Sequence, residues 1–495
     1  MRLKVASRKS DLARWQAVQV GRAFEELLKS GPAEYTFKSS FGDQNLDLPL
    51  ASMGSKGVFT QDFYEELKSG VYDLVVHSWK DLPTEDRPET SITMTLPRAD
   101  MRDVLIVPED VWQEATETGT LPILTSSPRR EYNLGLSLPD LLPGAPRLEF
   151  HSIRGNVPTR LQKMVEQKCA LVMAKAALDR LLEAEKQGFL EDGSKIRFWI
   201  ENCRFAVLPV SLNPPAPAQG ALAVEVVRSN HALIERTRQL NHHATFQAVE
   251  EEREILKGYG GGCHQKIGVA VILRPYGKVL SLRGLTDQGV TLGEWRLQNG
   301  TPWSKAESPN QIFPLRSEQN NWFHRVALGQ VSLSSQSAFW VARADAWPEG
   351  AKPRQGAVIW TAGVKSWKRL ASQGIWVTGC ADGLGETEDP GLQEIFGSLD
   401  WCKLTHDRAN KDSHSLATYR LEERENSPDL RGKTHFFWMS GSSFERARAL
   451  FPDEIEHGWH ACGPGSTHRF LEQQGLRRPI KVFIGLDQFL RETLP

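Results

Sequence analysis

In the stretch Asp73-Leu74-Val75-Val76-His77-Ser78-Trp79-Lys80-Asp81-Leu82-Pro83, an apolar run leads directly into a charged turn. A continuous run of Leu and Val is typical of a strand that is covered on both faces, as in a parallel sheet. In α/β sheets, ligands bind just beyond the carboxyl ends of the strands. The turn therefore brings Lys80 and Asp81 to the edge where a ligand would bind. An ordinary exposed Lys-Asp turn remains the alternative interpretation.

The sequence on both sides of this stretch alternates between strand-like and helix-like patterns. Residues 3–6 form a short strand pattern, and Ser10 can cap a helix over residues 12–28. Residues 100–205 repeat the alternation as a second unit. Such alternation predicts an α/β fold.

Length and charge limit the classes of protein that fit. At roughly one domain per 100–200 residues, 495 residues suggest three to five domains. Lys and Arg number 60 and Asp and Glu number 61, so the net charge of -1 excludes a global polyanion-binding charge but allows a local basic cleft. The first 300 residues lack the basic–aromatic interleaving of nucleic-acid surfaces, and no His/Cys spacing typical of a metal site occurs. We expect neither a nucleic-acid partner nor a metal.

The chain start and the cysteines indicate a compartment. No apolar run approaches the ~18–20 residues that span a bilayer, and charges within residues 1–9 break up any signal-peptide core. The six cysteines form no CxxC pair, a pattern typical of reduced thiols. We expect a cytoplasmic protein without a membrane partner.

Basic residues gather where helices are predicted to begin. In Thr125-Ser126-Ser127-Pro128-Arg129-Arg130, Ser127 fits the N-cap position and Pro128 the first helical position. Arginines in a first turn oppose the helix dipole, and a bound anion would reverse the sign of that interaction. Two solvated surface arginines are the alternative.

Three more loops repeat this feature. They are Ser7-Arg8-Lys9-Ser10, Gly54-Ser55-Lys56-Gly57 and the segment from His151 to Arg160, which contains Arg154, Gly155 and Asn156. Glycine in the last of these would allow a ligand to approach the backbone closely. Together the four loops predict a cleft for a small polyanion that carries carboxylates or phosphates.

A glycine-rich loop, Gly260-Gly261-Gly262-Cys263-His264, presents a cysteine. We interpret Cys263 as exposed for covalent attachment or nucleophilic chemistry. A buried, inert cysteine is the alternative.

In their order along the chain, these motifs resemble hydroxymethylbilane synthase, also called porphobilinogen deaminase, over about residues 3–270. The matching blocks are residues 6–16, 42–43, 54–59, 76–83, 125–130, 153–161, 218–222, 241–245 and 261–263.

The resemblance implies a transferase that joins four porphobilinogen molecules head to tail, with release of ammonia, to form hydroxymethylbilane in tetrapyrrole and heme biosynthesis. It implies a dipyrromethane primer held by a thioether to Cys263, and Asp81 as the catalytic carboxylate. It also implies that cofactor and substrate are bound by Arg8, Ser10, Gln16, Lys56, Lys80, Ser126, Ser127, Arg129, Arg130, Arg154, Gly155, Asn156, Arg160 and Gln219.

The domain organisation follows from the same resemblance. Two domains similar to periplasmic binding proteins are expected over residues 1–97 with 219–238, and over residues 98–218. A small α+β third domain with the cofactor cysteine is expected over 239–300, then a linker over 301–337 and an α/β module over 338–495. A two-lobed binding protein for a small polycarboxylate remains the alternative from another functional class.

The C-terminal module resembles uroporphyrinogen-III synthase in its Gly/Ser loops. These are residues 361–366, 383–386, 437–442 and 463–466. The resemblance implies a second activity that cyclises the deaminase product, with coupling between the two parts of the chain; an inactive module is the alternative. Eleven of the 15 tryptophans lie after residue 290, and we expect them to pack a separate core, the alternative being that some line a tetrapyrrole-sized pocket.

Overall fold

The computed structural model describes residues 2–29, 31–39, 61–84, 87–190, 195–260, 265–316, 322–329, 331, 333, 336–409 and 414–495. Two predicted site residues, Lys56 and Cys263, and the blocks 42–43, 54–59 and 261–263 lie outside the described residues. Within the described residues, no helix is both long and apolar enough to cross a membrane.

The first unit is a five-stranded sheet with the order β2-β1-β3-β10-β4. Its strands are β1 (Lys4–Arg8), β2 (Glu34–Lys38), β3 (Leu74–Ser78), β4 (Thr90–Met94) and β10 (Leu222–Val227), and its helices are Asp11–Leu28, Gln61–Lys68 and His231–Leu240. The late strand β10 runs antiparallel between β3 and β4. The sheet is therefore assembled from two separate stretches of chain.

The second unit is a five-stranded sheet with the order β7-β6-β8-β5-β9. Its strands are β5 (Asp103–Pro108), β6 (Thr120–Leu124), β7 (Arg147–His151), β8 (Ala170–Ala174) and β9 (Cys203–Val207). Its helices are Glu109–Thr118, Pro128–Ser137, Val157–Glu166, Lys175–Lys186 and Ile196–Ile200. Two crossing segments, residues 95–102 and 208–221, connect this unit to the first. The sheets and helices confirm the α/β class.

A third, smaller unit packs one helix on an antiparallel sheet. The helix is His243–Gly258, and the strands are β11 (Lys266–Arg274), β12 (Gly277–Leu285) and β13 (Thr291–Gln298). Apolar side chains of the helix, among them Ala248 and Leu256, are buried against Val269 and Leu282 of the sheet.

Two further sheets form the C-terminal region. One has the order β15-β20-β19-β16-β17-β18 and the other β14-β21-β22-β23. Their strands are β14 (Ile312–Phe313), β15 (Phe323–Ala327), β16 (Ala338–Val341), β17 (Val358–Thr361), β18 (Gly379–Cys380), β19 (Trp401–His406), β20 (Ser415–Glu423), β21 (His435–Trp438), β22 (Trp459–Cys462) and β23 (Lys481–Val482). The helices are Val364–Ser372, Gln393–Phe396, Gly441–Leu450, Pro452–His457, Ser466–Glu472 and Leu486–Thr493.

The prediction of a linker over residues 301–337 is wrong. Strand β14 pairs with β21, and β15 pairs with β20, so this segment contributes one strand to each C-terminal sheet. The physical reason is a few large apolar residues in a polar stretch. Phe313 and Trp322 are each 1% exposed, and burying them outweighs the polar character around them. The C-terminal region therefore begins before residue 338.

Most of the tryptophans after residue 290 do not pack a separate core, although Trp303 packs within the C-terminal region. Trp367 and Phe339 of the C-terminal region share one continuous cluster with Leu105 and Val172 of the second unit. The edge strand β9 lies beside β18, and the Val207 N–H donates to the Thr378 carbonyl at 2.7 Å. An uncovered strand edge exposes backbone hydrogen-bonding groups, and here the C-terminal sheet covers it.

Candidate active site

A cavity of about 360 Å³ lies between the first and second units. The predicted site residues that line it are Arg8, Ser10, Gln16, Lys80, Asp81, Ser126, Arg130, Arg154, Gly155, Asn156, Arg160 and Gln219. Most of them lie at strand ends and helix starts in both units, where an α/β fold opens a crevice for ligands, whereas Gln16 lies within the helix Asp11–Leu28 and Gln219 on the second crossing segment.

The turn after β3 brings a carboxylate into this cavity. Residues Trp79–Asp81 form a short 3-10 helix, and the Trp79 N–H donates to the Ala221 carbonyl at 3.1 Å. The Trp79 ring is buried against Phe246, with ring centroids 5.0 Å apart. This anchoring leaves the Asp81 side chain exposed in the cavity. Burial lowers the pKa of the neighbouring Lys80, and the charge of Asp81 offsets part of that effect.

The helix Pro128–Ser137 begins as its sequence predicts. Ser127 is the N-cap, its side chain accepts from the Arg130 N–H, and Pro128 occupies the first turn. Ser127 therefore acts as a helix cap and is not among the residues that line the cavity. Ser126 lines it and ties two loops together, since its hydroxyl donates to the Ile153 carbonyl at 2.6 Å.

Arg129, predicted to bind cofactor and substrate, instead lies behind the cavity wall. Its guanidinium donates to the Asn213 side chain at 3.2 Å, the Pro214 carbonyl at 2.7 Å and Asp103 at 2.9 Å. Both guanidinium groups bind Asp103, but of the two arginines it is Arg130 that lines the cavity.

Asp103, which sequence reasoning missed, organises this wall. It is fully buried and accepts from Arg130 at 2.7 and 3.0 Å and from Gln219 at 2.9 Å. Burial would raise the pKa of its carboxyl, but the charges of Arg130 and Arg129 outweigh that effect and hold the pKa well below its usual range. The sequence did contain a signal for this role, since Asp103 directly precedes the apolar run Val104–Val107 and a charge buried with that run needs a partner.

The second basic helix start uses its turn residues in two ways. The Asn156 side chain caps the helix Val157–Glu166 by accepting from the Thr159 N–H at 3.0 Å. Gly155 has φ +118°, and a Cβ there would lie 2.8 Å from the Thr159 side chain, so the turn requires glycine. The Gly155 carbonyl accepts from Arg160 Nε at 2.8 Å. Burial and the charge of Arg130 lower the pKa of Arg160, and Asp81 from the first unit opposes this shift.

Arg180 is a second residue that sequence reasoning missed. It lines the cavity from the helix Lys175–Lys186. One guanidinium nitrogen donates to the Gly220 carbonyl at 2.9 Å, while its buried Nε has no hydrogen-bond partner. Burial lowers its pKa to about 10. An arginine between Leu178 and Leu181, on a helix face that the sequence predicts to be buried, was the sequence signal, since arginine is almost never fully buried without a partner.

The cavity has a strong positive balance. Among the described residues, six cationic side chains line it, against the carboxylates of Asp11 and Asp81. The arginine guanidinium groups and the unpaired Nε of Arg180 fit a ligand with several carboxylates, such as the dipyrromethane group. Within the described residues, no cluster of three or more His, Cys, Asp or Glu side chains could hold a metal ion.

The similarity between this chain and solved structures is too weak to establish a shared fold. The substrate-binding protein of an amino acid ABC transporter aligns with 52% of this chain and 95% of its own length, at 12% identity and a TM-score of 0.24. The likeness to periplasmic binding proteins therefore stays a prediction.

Comparison with known sequences is decisive for the N-terminal half. A family model described as "Porphobilinogen deaminase, dipyromethane cofactor binding domain" matches residues 3–235. Porphobilinogen deaminase of Moorella thermoacetica is 35% identical over 57% of this chain and 82% of its own length. The corresponding enzymes of Syntrophomonas wolfei and Geobacter sulfurreducens are each 34% identical over 57% of this chain, covering 84% and 80% of their own lengths. The chain belongs to the porphobilinogen deaminase family and carries its dipyrromethane cofactor binding domain.

Proposed function

We propose that this chain is a hydroxymethylbilane synthase, which joins four porphobilinogen molecules head to tail with release of ammonia. The observation that carries the proposal is one exposed carboxylate, Asp81, in a cavity whose charged side chains are mostly arginines. A binding protein for a polycarboxylate would need the cations but not the carboxylate, whose charge opposes an anionic ligand.

The cations account for binding. Each porphobilinogen carries an acetate and a propionate, and a guanidinium fork can hold a carboxylate through two parallel hydrogen bonds. Burial lowers the pKa values of Arg160 and Arg180. A carboxylate bound to either guanidinium would stabilise its charged form and so oppose that effect. The free Nε of Arg180 is a donor ready for such a ligand.

Asp81 accounts for the chemistry. In each addition the bond between the aminomethyl carbon and its nitrogen breaks, and ammonia leaves. The same carbon then bonds to the free α-carbon of the preceding pyrrole, which loses its proton. Positive charge develops on the substrate as the amine departs, and a carboxylate positioned nearby stabilises that charge or accepts the proton.

The dipyrromethane group, when bound, supplies the terminal pyrrole to which the first substrate is joined. We propose Cys263 as its attachment point, through the thioether typical of the family. Cys169, Cys203, Cys380 and Cys462 are free thiols, which supports a reducing, cytoplasmic compartment.

Intact-mass measurement of the purified full chain tests this proposal. We expect an adduct of two pyrrole units that is lost in Cys263→Ser and kept in Cys203→Ser, whose half-buried thiol serves as the matched control. Asp81→Asn should keep the adduct but lose about 10²–10⁴-fold in kcat. Asp62→Asn, an exposed carboxylate on the helix Gln61–Lys68, is its control. Full activity of an unmodified protein would overturn the proposal.

We further propose that the C-terminal region cyclises the product. The Gly/Ser loops that resemble uroporphyrinogen-III synthase come close together between its two sheets. A Cβ on Gly385 would lie 3.4 Å from the Gly465 Cα, and one on Gly363 would lie 3.7 Å from the Gly383 nitrogen. Three helices begin at these loops, capped by Gly363, Ser440 and Gly465. Converging helix starts favour an anionic ligand.

The isomer formed from porphobilinogen by the full chain alone distinguishes this activity from an inactive module. Predominant type III uroporphyrinogen supports cyclisation by the chain, because free hydroxymethylbilane closes spontaneously to the type I isomer. Type I alone rules it out.

A further inference from the structure

Residues 384–396 of the C-terminal region, which we name the docking segment, lie across three parts of the deaminase. At the third unit, the Arg274 guanidinium pairs with both carboxylate oxygens of Glu388. The Tyr276 hydroxyl donates to the Leu384 carbonyl at 2.8 Å. The segment is thus fixed at one end to the hairpin between β11 and β12.

The middle of the docking segment contacts the first crossing segment. Arg102 Nη2 donates to the Pro390 carbonyl at 2.8 Å, and the same guanidinium pairs with Asp100 through Nε at 2.8 Å and Nη2 at 2.6 Å. It also lies over the ring of Trp360, 5.3 Å from the centroid. A Cβ on Gly391 would approach Asp100 Oδ2 to 3.2 Å and Arg102 Nη2 to 3.4 Å. The backbone therefore packs closely against this ion pair.

The far end of the docking segment contacts the second unit. Arg197 Nη1 donates to the Ile395 carbonyl at 2.7 Å. The fully buried Lys175 pairs with Asp179 at 2.5 Å and lies 3.6 Å from Asp100. Lys175 and Asp179 belong to the helix that carries Arg180 into the cavity.

The contacts of the docking segment lie next to residues that form the wall of the cavity. The residue after Arg102 is Asp103, which holds Arg130. The two crossing segments also touch each other, because the Ala99 N–H donates to the Gly220 carbonyl at 3.3 Å. A Cβ on Gly220 would lie only 2.5 Å from the Ala99 oxygen, at a φ of +88°. A displacement of residues 99–102 would therefore be transmitted to both Asp103 and the returning chain.

We propose that the docking segment is a positioning element for the deaminase reaction, acting through Arg102 on the crossing segments. The inference rests on the proposed function. Stepwise additions lengthen the bound chain, whereas about 360 Å³ lies near the lower end of ligand-site volumes. The first and second units must then separate as the chain grows, and hinge motion is absorbed by a few residues between domains. The docking segment holds one crossing segment to the second and third units, so that the cavity groups keep their orientation during that motion.

Two variants loosen the docking segment without changing a cavity residue. Gly391→Ala inserts a methyl group against Asp100 and Arg102 at a φ of +65°. Glu388→Gln removes the charge that pairs with Arg274. The matched control is Gly475→Ala, at a φ of +66° with no atom within 4 Å of the added Cβ, because it carries the same backbone strain without the contact.

For both variants we expect kcat to fall roughly three- to tenfold with KM changed less than about twofold, since the loss lies in orientation and not in substrate binding. Intact mass during turnover should show partly extended chains accumulating on the enzyme. Amide hydrogen exchange over residues 95–102 should become faster in the variants and stay unchanged in Gly475→Ala.

Variants that match the control in kcat, in the mass distribution and in exchange over residues 95–102 would overturn the inference. This result differs from a failure of the proposed function, in which the unaltered chain itself would show neither adduct nor turnover.

Discussion

Arg130 and Asp103 form a two-point ion pair in the cavity wall, with Nη2 2.7 Å from Oδ1 and Nε 3.0 Å from Oδ2. Asp103 lies at the start of β5, where the chain enters the second unit, and Arg130 lies in the first turn of the helix Pro128–Ser137. The pair therefore links the crossing segment to the orientation of a cavity arginine.

Asp103→Asn should lower the free energy of unfolding and reduce the rate of turnover. The substitution leaves two buried guanidinium groups without their carboxylate, and breaking a buried ion pair in this way costs about 3–5 kcal/mol. Urea unfolding monitored by circular dichroism measures the loss. Asp140→Asn, which removes a half-exposed pair with Lys368, should cost less than about 1 kcal/mol. Equal effects of the two substitutions would contradict the role given to Asp103.

Arg180→Gln should weaken substrate binding. A charge-assisted hydrogen bond contributes about 1.5–3 kcal/mol, which corresponds to an increase in KM of roughly 10- to 150-fold. Steady-state kinetics with porphobilinogen give the value. Arg147→Gln is the control, because that side chain is 73% exposed and pairs with Glu149 at the surface. An unchanged KM in Arg180→Gln would remove this arginine from the binding set.

Trp367→Phe should lower the thermal stability of the second unit and of the C-terminal region together. Trp367 is fully buried in the shared core, and its Nε1 donates to the Leu141 carbonyl of the second unit at 2.8 Å. Loss of that hydrogen bond leaves a buried carbonyl unpaired and costs about 1–3 kcal/mol. Calorimetry should show one lowered transition for the second unit and the C-terminal region together, whereas Trp295→Phe, half-buried on β13, should shift it less. Two independent transitions would argue against the shared core.

Acid should destabilise the C-terminal region through His460. Burial lowers the pKa of this imidazole to about 4, and its ring accepts from Trp438 Nε1 at 3.0 Å. Because the folded pKa lies below the unfolded value of about 6.5, its contribution to stability is complete above pH 6.5. That contribution, about 3 kcal/mol, is lost as the pH falls toward 4.

Tryptophan fluorescence during urea unfolding at pH 7 and pH 5 measures this effect, since Trp438 contacts the imidazole directly. His460→Gln keeps an acceptor and a donor but does not titrate, so its stability should change less between the two pH values. The exposed His457→Gln should behave like the unaltered chain. A wild-type protein as stable at pH 5 as at pH 7 would refute the prediction.

Local signals in the sequence were sufficient for local structure. Ser127 and Pro128 fix the helix start because a cap and a missing N–H act within one turn. Gly155 and Asn156 fix the second start for the same reason. The sequence did not indicate the position of Arg129 behind the cavity wall, because its partners Asn213 and Pro214 lie about 85 residues away. The polarity of residues 301–337 predicts a linker because the average hides the apolar side chains that decide burial, which are Ile312, Phe313, Trp322, Phe323 and Leu333.

The sequence by itself determined the α/β class, the helix starts and the family, since strand–helix periodicity and ordered motifs are written in neighbouring residues. Tertiary structure alone decided which of two adjacent arginines faces the cavity, that Asp103 holds it there, and that Arg180 joins it. It also decided that the C-terminal region packs into the core of the second unit and that Pro390 contacts Arg102, 288 residues earlier. Such contacts depend on how folded units meet in space, and no local pattern encodes that meeting.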